Sequence, residues 1–190
     1  MGKRQDIVTA AEQLFYQQGF GLTPFADLAS AVGISRGNFY HHFKTKDDIL
    51  AEVVELRLEK SRAMIAGWEG QSDDPADRIC SYIQILLVNQ DPIENFGCPL
   101  GSFANEMAKA QHPMQAGARQ LFDLFHVWLT QQFAALAADR PEYLAMRVLQ
   151  FSQGAATISN TYQNREFIGE EVARMCAWAR SQDRRGNLKG

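Results

Sequence analysis

The sequence predicts an all-α protein of about nine helices, three short ones at the N-terminus followed by a larger helical domain. Three observations carry this. Apolar residues recur at i, i+3, i+4 and i+7 through most of the 190 residues, which is the spacing of helix faces. Sustained apolar/polar alternation is missing, as are Asn-Gly and Asp-Gly hairpin turns. Capping residues, glycines and prolines stand where helices of ordinary length would begin and end.

Taken in order, the first helix spans about Lys3 to Gln18, with Ile7, Ala11, Leu14 and Phe15 on one face and Gly19 as its C-cap. Thr23 reads as the next N-cap with Pro24 in the first helical position, where a missing N–H costs nothing. Phe25, Leu28, Ala29 and Val32 form the apolar stripe of this second helix, and Gly33 stops it. Ser35 caps a third, short helix that runs to His42, and Thr45 with Asp48 forms a near-capping box for the fourth. The fourth is long, Lys46 to Gly67, and ends before the break Gly70-Gln71-Ser72-Asp73-Asp74-Pro75. A fifth helix covers Ala76 to Gln90, and Asp91 to Gly97 reads as a loop. Helices follow over Pro99–Lys109, Gln115–Ala138, Pro141–Gln163 and Phe167–Arg180, and the polar tail Ser181–Gly190 reads as frayed.

Composition narrows the function classes. A hydrophobic fraction of 46% suits a folded chain rather than a disordered one. No apolar run approaches the roughly 18 residues of a membrane span, and the N-terminus has no signal-peptide core, so a cytoplasmic protein is expected. Cys80, Cys98 and Cys176 are far apart and odd in number, and His41, His42, His112 and His126 form no ligand motif; neither a disulfide framework nor a metal or cofactor site is expected. The net charge of -3 is unevenly spread. Residues 1–46 hold five basic and three acidic side chains, the remainder 14 basic and 19 acidic. A locally positive head on an acidic body suits contact with phosphate.

Phe25 to Phe43 is the most informative segment. Two short helices joined at Gly33 can cross steeply, because glycine tolerates the unusual φ and Ala29 offers a small contact. Phe39 falls on the face that packs back. This is the pattern of a helix-turn-helix with Ser35–His42 as recognition helix. On its outward face Arg36 can reach a guanine edge or a phosphate, Gly37 permits close approach, and Asn38 can bond a base edge. Tyr40 and His41 can donate to phosphate oxygens, and Thr23 and Lys46 stand at helix N-termini that favour phosphate.

The run from Phe25 through Ala29, Gly33, Arg36, Asn38, Tyr40 and Lys46 to Leu50, with Ala10-Ala11-Glu12-Gln13-Leu14-Phe15 and Gly19-Phe20 before it, resembles the N-terminal signature of the tetracycline-repressor (TetR) family. The resemblance covers about the first 55 residues. It implies a homodimeric regulator rather than an enzyme, with two recognition helices in successive major grooves of a palindromic operator. It also implies that Thr23, Arg36, Asn38, Tyr40, His41 and Lys46 touch DNA. Asn38-Phe39 departs from the Thr-Leu or Ser-Leu frequent in the family and bears on base preference. The expected division is a DNA-binding domain over 1–46 and a ligand-binding and dimerisation domain over 47–190.

In that second domain the resemblance implies a pocket for a small-molecule inducer, and Trp68, Tyr82, Phe103, Phe122, Phe125 and Trp128 are its candidate lining. The helix from Pro141, with Phe151, Ser152, Gly154, Ala155, Ala156 and Ile158, and the last helix, with Val172, Met175 and Trp178, are candidates for a four-helix dimer interface. Cys98 precedes a helix start, where the positive helix end favours thiolate. Gly97-Cys98-Pro99-Leu100-Gly101 resembles a Gly-Cys-x-Leu-Gly segment of a TetR subgroup, some of whose members sense electrophiles, which makes Cys98 a candidate redox or electrophile sensor. A DNA-binding protein that senses no ligand remains the alternative.

Overall fold

The structure, a computed structural model, describes residues 2–186, the side chain of Arg36 excepted. Among them are ten helices: α1 (Lys3–Gln18), α2 (Phe25–Ala31), α3 (Arg36–His42), α4 (Lys46–Gln71), α5 (Pro75–Val88), α6 (Gln90–Phe96), α7 (Pro99–Lys109), α8 (Gln115–Ala135), α9 (Pro141–Tyr162) and α10 (Arg165–Arg180). No strand occurs among the described residues.

The all-α fold is as expected, and one expected loop is helical. Asp91–Gly97 is no loop: Gln90–Phe96 is helical, because Pro92 falls in the first turn, where its missing N–H interrupts no bond. The expected end of α4 at Gly67 is also corrected. The helix runs on to Gln71, and Arg78 donates to the carbonyls of Glu69 (3.3 Å) and Ser72 (2.7 Å), satisfying groups that a helix end leaves open. Nor is the start of the tail frayed: the Arg184 N–H donates to the Leu136 carbonyl at 2.9 Å and Arg185 pairs with Asp74 at 2.9 Å. Residues 187–190 of that tail lie outside the described residues.

The chain forms two compact units, Met1–Ser61 with Pro99–Leu121, and Arg62–Cys98 with Phe122–Gly190. In the first, α1 buries Ile7, Val8, Ala11 and Phe15, and α4 buries Ile49, Leu50, Val53 and Val54. In the second, α5 packs along α10, with Ile79, Cys80 and Ile83 buried on one helix and Val172, Cys176 and Ala179 on the other. Here α6 is tied to α9 and α10: Asn160 donates to the Glu94 carbonyl at 2.8 Å, and Arg165 pairs with Asp91 at 2.6 Å and with Glu94.

Candidate nucleic-acid interface

The α2–α3 pair is set by local chemistry. The Ser35 hydroxyl accepts the Asn38 N–H at 3.3 Å and so starts α3. Thr45 and Asp48 cap α4 reciprocally, with Thr45 N–H to Asp48 at 2.9 Å and Asp48 N–H to Thr45 at 3.0 Å. These bonds hold the exposed Asp48 carboxyl below the usual carboxylate range. Gly33 takes φ +65°, the left-handed conformation that turns the chain from α2 into α3. Phe39 and Phe43, four residues apart on one face, are both 1% exposed, and the Phe39 ring meets Phe25 edge-on at 5.3 Å.

Burying that face turns the other outward. Gly37, Asn38, Tyr40 and His41 are exposed, and Tyr40 lies at a tilt against Phe25, centroids 5.5 Å apart. Arg36 opens α3, and its side chain lies outside the described residues. The exposed face therefore offers an amide, a phenol and an imidazole on one short helix. These donors suit base edges and phosphate oxygens.

Several basic groups of the head brace it. Lys3 donates to the Val32 carbonyl at 3.3 Å, at the end of α2. Arg4 donates to the His42 carbonyl and to Glu52 and stacks 4.0 Å over the Phe43 ring, at the end of α3. Lys44 donates to the Tyr40 carbonyl at 2.6 Å. Cations at helix C-termini satisfy orphan carbonyls and favour the helix dipole.

For Thr23 and Lys46 the structure differs from the expectation. The Thr23 side chain is not an exposed N-cap. It is fully buried, its hydroxyl donates to the Gly19 carbonyl at 2.7 Å, and Pro24 occupies the N-cap position of α2. Lys46 points into the head: its ammonium donates to the carbonyls of Phe20 (2.6 Å) and Thr23 (3.2 Å) and lies 4.3 Å from the Phe20 ring centroid. Burial lowers its pKa, against the opposing pull of Glu106 and Asp47. Both side chains answer backbone carbonyls of the turn that leads into α2, and that demand is invisible in linear order.

The second unit gathers four of the six aromatic candidates. The Trp68 ring lies 6.1 Å from Tyr82, 6.4 Å from Phe125 and 5.4 Å from Trp128, and Tyr82 lies 5.3 Å from Phe125. Two polar tips in the cluster are engaged: Trp128 Nε1 donates to Glu69 at 2.9 Å, and the Tyr82 hydroxyl is 3.2 Å from Ser152 Oγ. Burial pushes the Tyr82 phenol well above its usual pKa, against the opposing pull of its hydrogen bond with Ser152. Phe122, one turn before Phe125 on α8, is half-buried. Phe103 stands apart in the first unit, 5.5 Å from the Arg57 guanidinium. Cys98 is half-buried and directly precedes α7. Along α9 and α10, Tyr143, Met146, Ile158, Tyr162 and Phe167 are exposed, and Phe151, Gly154, Ala155, Ile158, Phe167 and Met175 are among the residues lining a groove of about 380 Å³. Among the described residues no cluster of His, Cys, Asp or Glu is placed to hold a metal ion, and no helix is long and apolar enough to cross a membrane.

Comparison with known proteins places this geometry. The family described as "Bacterial regulatory proteins, tetR family" matches residues 7–53, which contain α2, α3 and the cap of α4. The HTH-type transcriptional repressor DhaR of Mycobacterium sp. (strain GP1) is 24% identical over 174 residues, 86% of this chain and 85% of that one. The HTH-type transcriptional regulator AcrR of Shigella flexneri is 37% identical over 84 residues, 44% of this chain and 38% of its own. The crystal structure of a TetR transcriptional regulator from Legionella pneumophila superposes with a TM-score of 0.82 at 22% identity, covering 94% of this chain and 97% of that one. These relatives are regulators and not enzymes. Residues 7–53 thus match the TetR family, and over nearly its whole length the chain has the fold of solved TetR-family regulators.

Proposed function

We propose that the protein is a repressor that binds a palindromic operator as a homodimer and is released by a small molecule. Residues 1–46 are the DNA-binding domain, and 47–190 carry ligand binding and dimerisation. The observation that supports this best is the two-sided α3. Phe39 and Phe43 are buried, while Asn38, Tyr40 and His41 are exposed on a helix whose end is braced by Arg4. Gly37 and Asn38 meet base edges, and Arg36, Tyr40 and His41 meet phosphate. Thr23 and Lys46 contribute by holding the turn that leads into α2, since their side chains are engaged inside. In a dimer the two α3 helices enter major grooves about 34–36 Å apart. A ligand that binds better to a conformer with the heads out of register shifts the population off DNA. Trp68, Tyr82, Phe122, Phe125 and Trp128 are the proposed pocket wall. Phe103 belongs to the other unit.

The test is selection of a duplex from a random pool by the full-length protein, followed by titration across NaCl concentrations. Arg36→Ala is expected to weaken binding and lower the salt slope by about 2 per dimer, because one cation leaves each half-site. Asn38→Ala is expected to relax preference at one base position at a cost of about 1–3 kcal/mol, with the slope unchanged. Equal binding of random and selected duplexes by the wild type contradicts the proposal.

A second reading concerns Cys98. Its half-buried position directly before α7, against the burial of Cys80 and Cys176, supports Cys98 as the thiol that an electrophile reaches first. Mass spectrometry after mild N-ethylmaleimide treatment is expected to find Cys98 alkylated ahead of the buried Cys80 and Cys176, with loss of duplex binding. Unmodified Cys98, or alkylation without release, rejects the sensor.

A further inference from the structure

The turn that leads into α2 is held from both sides. Gly19 leaves α1 at φ +89°. Glu106, on α7, then accepts the N–H of Phe20 at 3.0 Å on one carboxylate oxygen and that of Gly21 at 2.7 Å on the other. A Cβ added at Gly19 or Gly21 would stand 3.4 or 3.3 Å from that carboxylate, so the two glycines let it approach the backbone. On the carbonyl side, Lys46 donates to Phe20 and Thr23 at 2.6 and 3.2 Å. The Phe20 ring is fixed edge-on between Phe15 (5.2 Å) and His112 (5.3 Å), and His112 lies 3.4 Å from the Asp47 carboxylate at the start of α4. A carboxylate and an ammonium thus grip opposite edges of one peptide segment, with the Phe20 ring held between Phe15 of α1 and His112, which follows α7.

Such a grip has a directional consequence. Bonds from backbone N–H groups to an ionised carboxylate are among the stronger protein hydrogen bonds. Two of them on adjacent residues fix the orientation of the turn, and four residues beyond Gly21 α2 begins, against which α3 packs. We propose that Glu106 is a positioning residue for operator recognition, holding the turn at 19–21 to α7 and thereby fixing α2 and α3 in their DNA-reading geometry. The inference rests on the head being the operator-binding surface. It adds to it a residue far outside residues 1–46 that touches no DNA.

The experiment uses the full-length protein, a duplex selected by the wild type, and the variants Glu106→Ala, Glu106→Gln and Glu106→Asp. Amide hydrogen exchange is read at Phe20 and Gly21 in the free protein. Duplex affinity is read across NaCl concentrations at a temperature where circular dichroism matches the wild type. Glu106→Ala is expected to speed exchange at both amides and weaken binding about tenfold or more, with the salt slope unchanged because no cation is lost from the interface. Glu106→Gln, which keeps one acceptor oxygen, falls between, and Glu106→Asp recovers part of the affinity. Wild-type affinity in Glu106→Ala, or unchanged exchange at Phe20 and Gly21 in all three variants, overturns the proposal. If Glu106→Ala fails to fold, Glu106→Gln decides by the same two readouts. If the wild type selects no duplex, it is the operator reading that fails, while the amide exchange still judges the latch.

Discussion

Phe39→Ala is expected to cost about 3–5 kcal/mol, the usual range for emptying a buried aromatic site, and to abolish selective duplex binding. The ring is 1% exposed and meets Phe25 edge-on at 5.3 Å, so it is the main apolar link between α3 and α2. α3 has only seven residues, far too few to be stable without packing. Against a total stability of about 5–15 kcal/mol for a domain, such a loss leaves the recognition helix without a fixed orientation. Urea unfolding followed by circular dichroism and fluorescence-anisotropy titration of the selected duplex check both halves. Phe39→Leu, which keeps most of the volume, is expected to cost under about 1.5 kcal/mol and retain binding. Equal behaviour of the two variants contradicts this role for the ring.

Ile158→Glu is expected to separate the dimer. Ile158 is exposed on α9, beside the groove that Phe151, Gly154, Ala155, Phe167 and Met175 also line. A carboxylate there costs a single folded chain little, because the position already meets water. In a two-fold interface the same substitution appears twice. Burying two unpaired carboxylates costs about 4–6 kcal/mol, on the order of a thousandfold in dimer affinity. Sedimentation at micromolar concentration is expected to show a helical monomer that binds the selected duplex only weakly. A persisting dimer places the interface elsewhere.

What could be read in the sequence was local. Gly33, Ser35 and the Thr45–Asp48 box lie within three residues of the groups they serve, so linear order reveals them. The same holds for Phe39 and Phe43, whose four-residue spacing marks one face. The segment 91–97, expected as a loop, is helical to Phe96 because a proline is a breaker inside a helix but harmless in the first turn, and nothing nearby shows that α6 starts at Gln90. Thr23 and Lys46 turned inward because their partners are carbonyls of the turn itself, which only the folded head brings within reach. Glu106 carried no signal at all: 85 and 86 residues separate it from the amides it accepts. The aromatic candidates behaved likewise. Trp68, Tyr82, Phe125 and Trp128 were candidates for the pocket lining and do cluster, yet Phe103 looked no different in sequence and belongs to the other unit.

In the proposed dimer two copies of α3, each presented by the turn at Gly33, read one duplex together. The most direct measurement is the mass of the complex between wild-type protein and its selected duplex, by sedimentation or light scattering at saturating protein. Two chains on a palindrome whose half-sites lie about one helical turn apart, or a multiple of it, are predicted. A single chain bound per duplex, or a selected pool without two-fold symmetry, would contradict it.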